Sequence, residues 1–342
     1  MHIPTIVGDA FAKWTGRQSA NDLSTAVQFP DAVDVPLDSR RLIRNRRYCN
    51  VLSKHCELEF DSVSLECARK ALEHDMAYVP QGIVRLMQDV VVEEDRRYRL
   101  KQSTFVPVQV ESFFLDRDCV TNADYARFVQ AGGYEDHQYW PQETLAWVLQ
   151  FVDRTGHVGP NMWSHGQPPA DLLDHPVVGI CWYEANAYAR WVGKRLPTTA
   201  EWQRAGTWPH MRTGAAAEQR FPWGNAFVRS KANLWKHGGC ATIPVDALND
   251  GNTPNGVRQL IGNVWEWLDS RFDSASEGDV KIILEEVLAE VRGGAFDTYF
   301  ASQATCQFRT GQPVLNRPHN VGFRCCISAT DLRSSTENSE NN

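Results

Sequence analysis

The chain has 342 residues, 42% of them hydrophobic and 23% charged, the balance of a folded globular protein rather than a disordered one. Its formal charge of -7 sets the average surface against a phosphate backbone, which argues against nucleic acid as a partner. No run approaches the ~18 apolar residues of a membrane-spanning helix, and the opening MHIPTIVGDAFAKW lacks the basic-then-apolar order of a secretory signal, so neither a membrane nor an export role is expected.

In chain order, the segment before Asp61 mixes proline, polar residues and the basic run Arg40-Arg41-Leu42-Ile43-Arg44-Asn45-Arg46-Arg47. Such a run reads as a solvated helix face or as a docking patch. Asp61 then opens a helical pattern, DSVSLECARKALEHD, with Val63, Cys67 and Leu72 along one stripe. At Met76 the character changes. MAYVPQGIVRLMQ and YRLKQSTFVPVQVESFFLD predict short strands separated by turns, which places a boundary near residue 75. Thr121 and Asn122 can cap a helix through ADYARFVQA that Gly132 and Gly133 end. WYEANAYARWV predicts another, closed by Gly193, with Lys194 and Arg195 near its negative pole. In LPTTAEW, Thr198 followed by Glu201 is a capping box. From Phe221 onward turn residues dominate and strands must be brief. The tail after Ser328, ATDLRSSTENSENN, is expected to be disordered.

The nine cysteines include no C-x-x-C pair, and their spacing carries no zinc signature. They read as buried thiols without a structural disulfide, in a reducing compartment, and the expected address is cytoplasmic. Tryptophans crowd between Trp140 and Trp267. A buried indole needs a partner for its N–H, so the run indicates irregular packing or an aromatic cleft.

The stretches MAYVPQG, FFLDRDCVTNADYARFV, DHPVVGICWYEANAYARWVGKRLPTTAEW, RFPWGNAF, TPNGVRQLIGNVWEW, VRGGAF and NVGFRC stand in one order. In that order they resemble the sulfatase-modifying-factor family, which comprises formylglycine-generating enzymes and relatives such as the sulfoxide synthases of the ergothioneine pathway. The resemblance spans residues 76–328 and implies an α+β fold. It would be a single irregular, loop-rich domain related to the C-type lectin fold, with a partly helical extension at 1–75 and a tail at 329–342.

The family's copper enzymes hold Cu(I) between two thiolates, ligands soft enough for that ion. The first follows the aromatic of R-G-G-S-W by two residues. Here Arg292-Gly293-Gly294-Ala295-Phe296-Asp297-Thr298 puts Thr298 in that place, and Tyr299 to Thr305 contain no cysteine for the second. Cys306 and Cys325 instead match disulfide cysteines of secreted relatives, whose partner positions fall near Gly206 and at Ala189. The sulfoxide synthases hold iron with three histidines from an N-terminal bundle, two of them spaced H-x-x-x-H. This chain has no such spacing, and only His2, His55 and His74 precede residue 76. A structural calcium site of the family maps to the side chains of Gln259 and Glu266 and the carbonyls of Gly262 and Val264. These are oxygen donors of the kind Ca²⁺ prefers. Glu266 could equally cap a turn or pair with an arginine. A second calcium site retains only Asn233 and Leu234.

Three functions follow. The first is a metal-dependent, oxygen-using oxidoreductase acting on a thiol-bearing or peptide substrate. Its catalytic metal is unidentified, with Cys306 the candidate catalytic residue and Cys325, Cys326 and Glu266 as further participants. The second is a catalytically silent module that binds a small molecule or peptide. The third is an accessory role, with the N-terminal extension docking a protein partner. The expected cleft is lined by Tyr299, Gln303, Gln307 and Arg309 together with a tryptophan from Trp140 to Trp182. Rings beside amides and a guanidinium suit a peptide or a planar ligand. The alternative is that Phe296 and Phe300 fill the core and only the polar residues reach water.

Overall fold

The computed structural model describes residues 37–94, 97–207, 218–235, 239–272, 275–276 and 286–333. The tail expected beyond Arg333, and the first 36 residues with His2, lie outside the described residues. Helices are α1 Leu37–Arg44, α2 Tyr48–Leu52, α3 Ser62–Asp75, α4 Asn122–Gln130, α5 Leu145–Val148, α6 Trp182–Trp191 and α7 Thr199–Thr207. Strands are β1 Met76–Val79, β2 Gly82–Glu94, β3 Arg97–Val110, β4 Phe113–Asp116, β5 Trp265–Arg271, β6 Ala275–Ser276, β7 Leu288–Arg292, β8 Thr310–Pro313, β9 Val321–Gly322 and β10 Cys326–Ser328. The fold is α+β, with long irregular stretches between short elements.

Local chemistry sets the helix ends where the sequence predicts them. Asp61 accepts from the Ser64 N–H at 2.6 Å and caps α3. The Thr121 hydroxyl accepts from the Asp124 N–H at 3.1 Å to start α4, which stops at Gly132 with φ +76°. Glu184 reaches back to the Cys181 N–H at 2.8 Å to start α6, a box the sequence reading missed because the capping residue is a cysteine. Before α7 the Thr198–Glu201 box closes in both directions, at 2.9 and 3.3 Å.

Two corrections concern extent. The strands expected to be short after Met76 include the hairpin β2–β3, of 13 and 14 residues. Its pairing runs from Gly82↔Val110 to Glu94↔Arg97 with one register shift at Val90/Val91. Residues 329–333, expected to be disordered, are tied down. Leu332 bridges to Ser53, and the Arg333 guanidinium donates to the carbonyls of Ser53 and Cys56. Residue 75 is a direct junction between α3 and β1.

The sheet β1–β4–β10 shows how the N-terminal helices belong to the body. Strand side chains alternate between faces. Phe113, Leu115, Ala77, Val79 and Cys326 enter a core with Trp202, Leu260 and Ile261. Met76, Phe114 and Ile327 face the other way, onto Ile43, Tyr48, Val51 and Leu72 of α1–α3. The basic run is therefore only partly a solvated face. Arg46, held at φ +58° between α1 and α2, reaches Asp124 at 3.0 Å, and Arg47 lies 5.0 Å over the Trp191 ring. We expect Arg46→Ala to loosen α1–α2 and to speed limited proteolysis between Ser53 and Phe60 several-fold. An unchanged cleavage rate would show that apolar packing alone holds this segment.

The tryptophans are mainly core. Trp140, Trp163, Trp202 and Trp267 are buried, and their N–H groups donate to Gly133 O, Asn122 Oδ1, Glu266 Oε2 and Ile180 O. The four-stranded sheet β8–β7–β5–β9 closes the other side of the body. Among the described residues, no helix is long and apolar enough to cross a membrane.

Candidate functional site

β7 delivers the chain into the R-G-G turn. Arg292 is buried and donates to Glu290 Oε1 at 2.6 Å, Gln203 Oε1 at 3.0 Å and Cys306 O at 2.8 Å. Gly293, at φ +99°, passes so close to Leu260 that a Cβ would lie 2.6 Å from its carbonyl oxygen, so only glycine fits. Thr298, in the place of the family's first thiolate, is buried and its hydroxyl accepts from the Ala295 N–H at 2.8 Å. Its oxygen is committed to a tight turn.

Cys306 belongs to the core. It is fully buried, its Sγ donates to Gly206 O at 3.6 Å, and burial pushes the thiol up to about 12 despite the Arg292 charge. Such burial works against the thiolate, the form that acts as nucleophile. Burial likewise raises Cys325 and Cys326 well above the usual thiol range. All nine cysteines are free thiols.

The four residues expected to share a cleft make different contacts. Tyr299 is exposed, edge-on to Phe300 at 5.1 Å and tilted against Trp235 at 6.3 Å. A short turn at Ala301–Gln303 redirects the chain and half-buries Gln303. Gln307 donates to Gln219 O at 2.8 Å. The Arg309 guanidinium pairs with buried Glu290 at 3.3 Å and lies over the Phe272 ring. Phe296 is buried, as in the core-filling alternative, but Phe300 is exposed.

A concavity forms at the far end of the same segment. A groove of about 600 Å³ is lined by Glu143, Thr144, Trp147, Tyr183, Glu286, Val287 and Pro313–Asn316. β8 pairs with β7 through Leu288↔Pro313, the Val314 N–H continues the pairing to Val287 O at 3.1 Å, and Val314 O receives the Trp182 N–H at the start of α6. These bonds fix one wall while Trp147, Val287 and Leu315 stay partly exposed. Exposed apolar side chains gathered in a concave surface mark a binding site more often than an accident of packing. Trp147 lies in the expected tryptophan span, but it lines this groove without Tyr299, Gln303, Gln307 or Arg309. Glu143, Tyr183, Val287 and Leu315 were missed, because nothing local marks residues that meet only through the β7–β8 pairing.

The mapped calcium residues do not fit a calcium ion as they are arranged. Glu266 is fully buried and its oxygens accept from Arg324 Nη2 at 2.7 Å, Arg324 Nε at 2.8 Å, Trp202 Nε1 at 2.8 Å and Cys119 Sγ at 3.5 Å. The arginine-pairing alternative describes it, and four donors fill a carboxylate. Gln259 spends its amide on Pro244 O and Ala247 O and its oxygen on Asn263. At the second calcium position, Asn233 Oδ1 is buried without a hydrogen-bond partner among the described residues. Among those residues no three His, Cys, Asp or Glu side chains stand together as a ligand set.

A model of the sulfatase-modifying factor enzyme 1-like domain matches residues 63–329. The hercynine oxygenase of Mycolicibacterium smegmatis is 36% identical over 172 residues, 48% of this chain and 38% of that protein. The inactive C-alpha-formylglycine-generating enzyme 2 of Mus musculus is 27% identical over 303 residues, 78% of this chain and 91% of that one. The formylglycine-generating enzyme of Thermomonospora curvata is 31% identical over 270 residues, 64% and 82% of the two chains. The match thus spans well under half of the hercynine oxygenase and most of the other two.

Proposed function

Because the chain belongs to the sulfatase-modifying factor family, we propose that it is a recognition member of that family, binding a peptide or small molecule in the groove between Glu143–Trp147 and Pro313–Asn316. Family membership alone does not decide between chemistry and binding, since relatives carry the names of an oxygenase, a formylglycine-generating enzyme and an inactive one. The observation that carries the reading is Thr298. The residue at the thiolate position is a hydroxyl held to the Ala295 N–H, and Cys306 is a thiol buried in the core. The scaffold keeps its turn while the groove keeps its open apolar wall. A second reading, an oxidoreductase acting on a thiol-bearing or peptide substrate, draws on the 36% identity to the hercynine oxygenase.

Two measurements separate them. Purified protein incubated with a cysteine-containing sulfatase-type peptide, Cu(I) and oxygen is expected to yield no aldehyde. Oxygen-dependent aldehyde formation would favour the second reading. For binding, a peptide array probed with the parent and with Trp147→Ala should give hits that the variant loses at least tenfold. Hits that survive Trp147→Ala unchanged would remove the groove from the reading.

A further inference from the structure

We propose that the loop Asp153–Gly166 carries a two-histidine site for a divalent transition-metal ion of the zinc or copper(II) class, bound by the rings of His157 and His165. The site stands apart from the groove and from every cysteine discussed above. Both histidines are exposed, and their ring centres lie 5.8 Å apart with 63° between the planes. Two imidazoles on a tetrahedral ion with metal–nitrogen bonds of about 2.0–2.1 Å have ring centres about 5 Å apart. The observed separation is slightly wider, a difference that small side-chain rotations of two exposed rings close.

Proton accounting in the loop fixes which nitrogen of His157 is available. The Thr155 hydroxyl has one proton and gives it to Asp153 Oδ1 at 2.8 Å. Asp153 already accepts the backbone N–H groups of Thr155, His157 and Gly166, so it is the acceptor toward the hydroxyl. Thr155 Oγ1 already receives the His165 N–H at 2.7 Å and lies 3.0 Å from His157 Nδ1. With its proton committed, the hydroxyl can only accept from His157, so Nδ1 carries the hydrogen. The lone pair is then on Nε2, the arrangement in which a ligand histidine is oriented by a hydrogen bond on its other nitrogen.

The backbone supports the second ring as well. His165 sits in the left-handed region at φ +56°, an uncommon conformation for a residue with a side chain. It is held there by its bond to Thr155 and by the Gly166 N–H on Asp153 Oδ2 at 2.7 Å. One carboxylate and one hydroxyl therefore orient the His157 ring and fix the backbone that carries His165. Two protein ligands leave the remaining positions of the ion to water or to a third group. Imidazole suits copper(II) and zinc, and copper(II) binds such sites most tightly.

The full-length protein is titrated with CuCl₂ and ZnCl₂, using electron paramagnetic resonance for copper and calorimetry for zinc. One saturable copper per chain with a two-nitrogen imidazole pattern is expected. His157→Gln and His165→Asn should each weaken zinc at least tenfold. Asparagine tolerates the left-handed backbone at 165, so the loop is retained. Thr155→Val should weaken zinc about tenfold or more through lost orientation of His157, and Thr155→Ser should restore it. Metal-free unfolding midpoints of the two histidine variants should match the parent, which separates ligation from folding. Absence of saturable binding, or binding indifferent to both histidine substitutions, overturns the proposal.

Discussion

Gly206→Cys is expected to form a disulfide with Cys306 and to raise the melting temperature of the oxidised protein by about 3–6 °C. An ideal Cβ on Gly206 lies 2.8 Å from Cys306 Sγ, the separation across a disulfide from one Cβ to the other residue's sulfur. The bridge would close a loop of about 100 residues, for which chain entropy alone gives about 4.7 kcal/mol, and engineered bridges deliver about 2–4 kcal/mol of such gains. Gly206 lies in α7, where a side chain improves helix propensity over glycine. The reduced variant behaves in the opposite sense, since two unbonded thiols at this distance overpack a closed core. The readouts are a cross-linked peptide in non-reducing mass spectrometry and a midpoint that falls below the parent on adding dithiothreitol. Failure to cross-link under oxidant would show that the two backbones do not approach as described.

Arg324→Met is expected to destabilise the protein by about 3–5 kcal/mol, the usual result of removing one member of a buried ion pair. Arg324 and Glu266 are both fully buried. The guanidinium also donates to Asp116 O, Arg117 O and Arg258 O, so one side chain ties together the end of β4, the loop before β5, and β5 itself. The double variant Arg324→Met/Glu266→Gln should recover part of the loss, because it removes the stranded carboxylate but not the three unpaired carbonyls. Urea denaturation of the four proteins gives the coupling energy. A single-variant loss below about 1 kcal/mol would mean that water reaches Glu266 and that its burial is not as described.

What the sequence made legible was what local chemistry writes. Asp61, Thr121 and Thr198 mark helix starts because a side-chain oxygen meets a backbone N–H a few residues away. The family match followed from motifs such as TPNGVRQLIGNVWEW, whose glycines and tryptophans sit where backbones cross closely. The disulfide alignment was legible too: the partner position assigned to Cys306 is Gly206, and the two are in contact. The cleft was not. Tyr299, Gln303, Gln307 and Arg309 are neighbours in sequence, but Arg309 is captured by Glu290 and Gln307 by a backbone carbonyl. Such long-range electrostatic choices leave no periodicity. The groove joins residues 143–147, 183, 286–287 and 313–316, and only the strand pairing brings them together. The hairpin β2–β3 exceeded expectation for a related reason: each strand is stabilised by its partner, and single-strand propensity does not report that.

The sheet β1–β4–β10 has a consequence for synthesis on the ribosome. Its middle strand is paired on one side with residues 76–79 and on the other with residues 326–328, and Arg333 is bonded to Ser53 and Cys56. Helices α1–α3 therefore keep their apolar faces Ile43, Val51 and Leu72 uncovered until Ile327, far downstream, joins them. Ile327 and the Arg324 tie complete this packing, so a chain stalled before residue 320 leaves these contacts unmade.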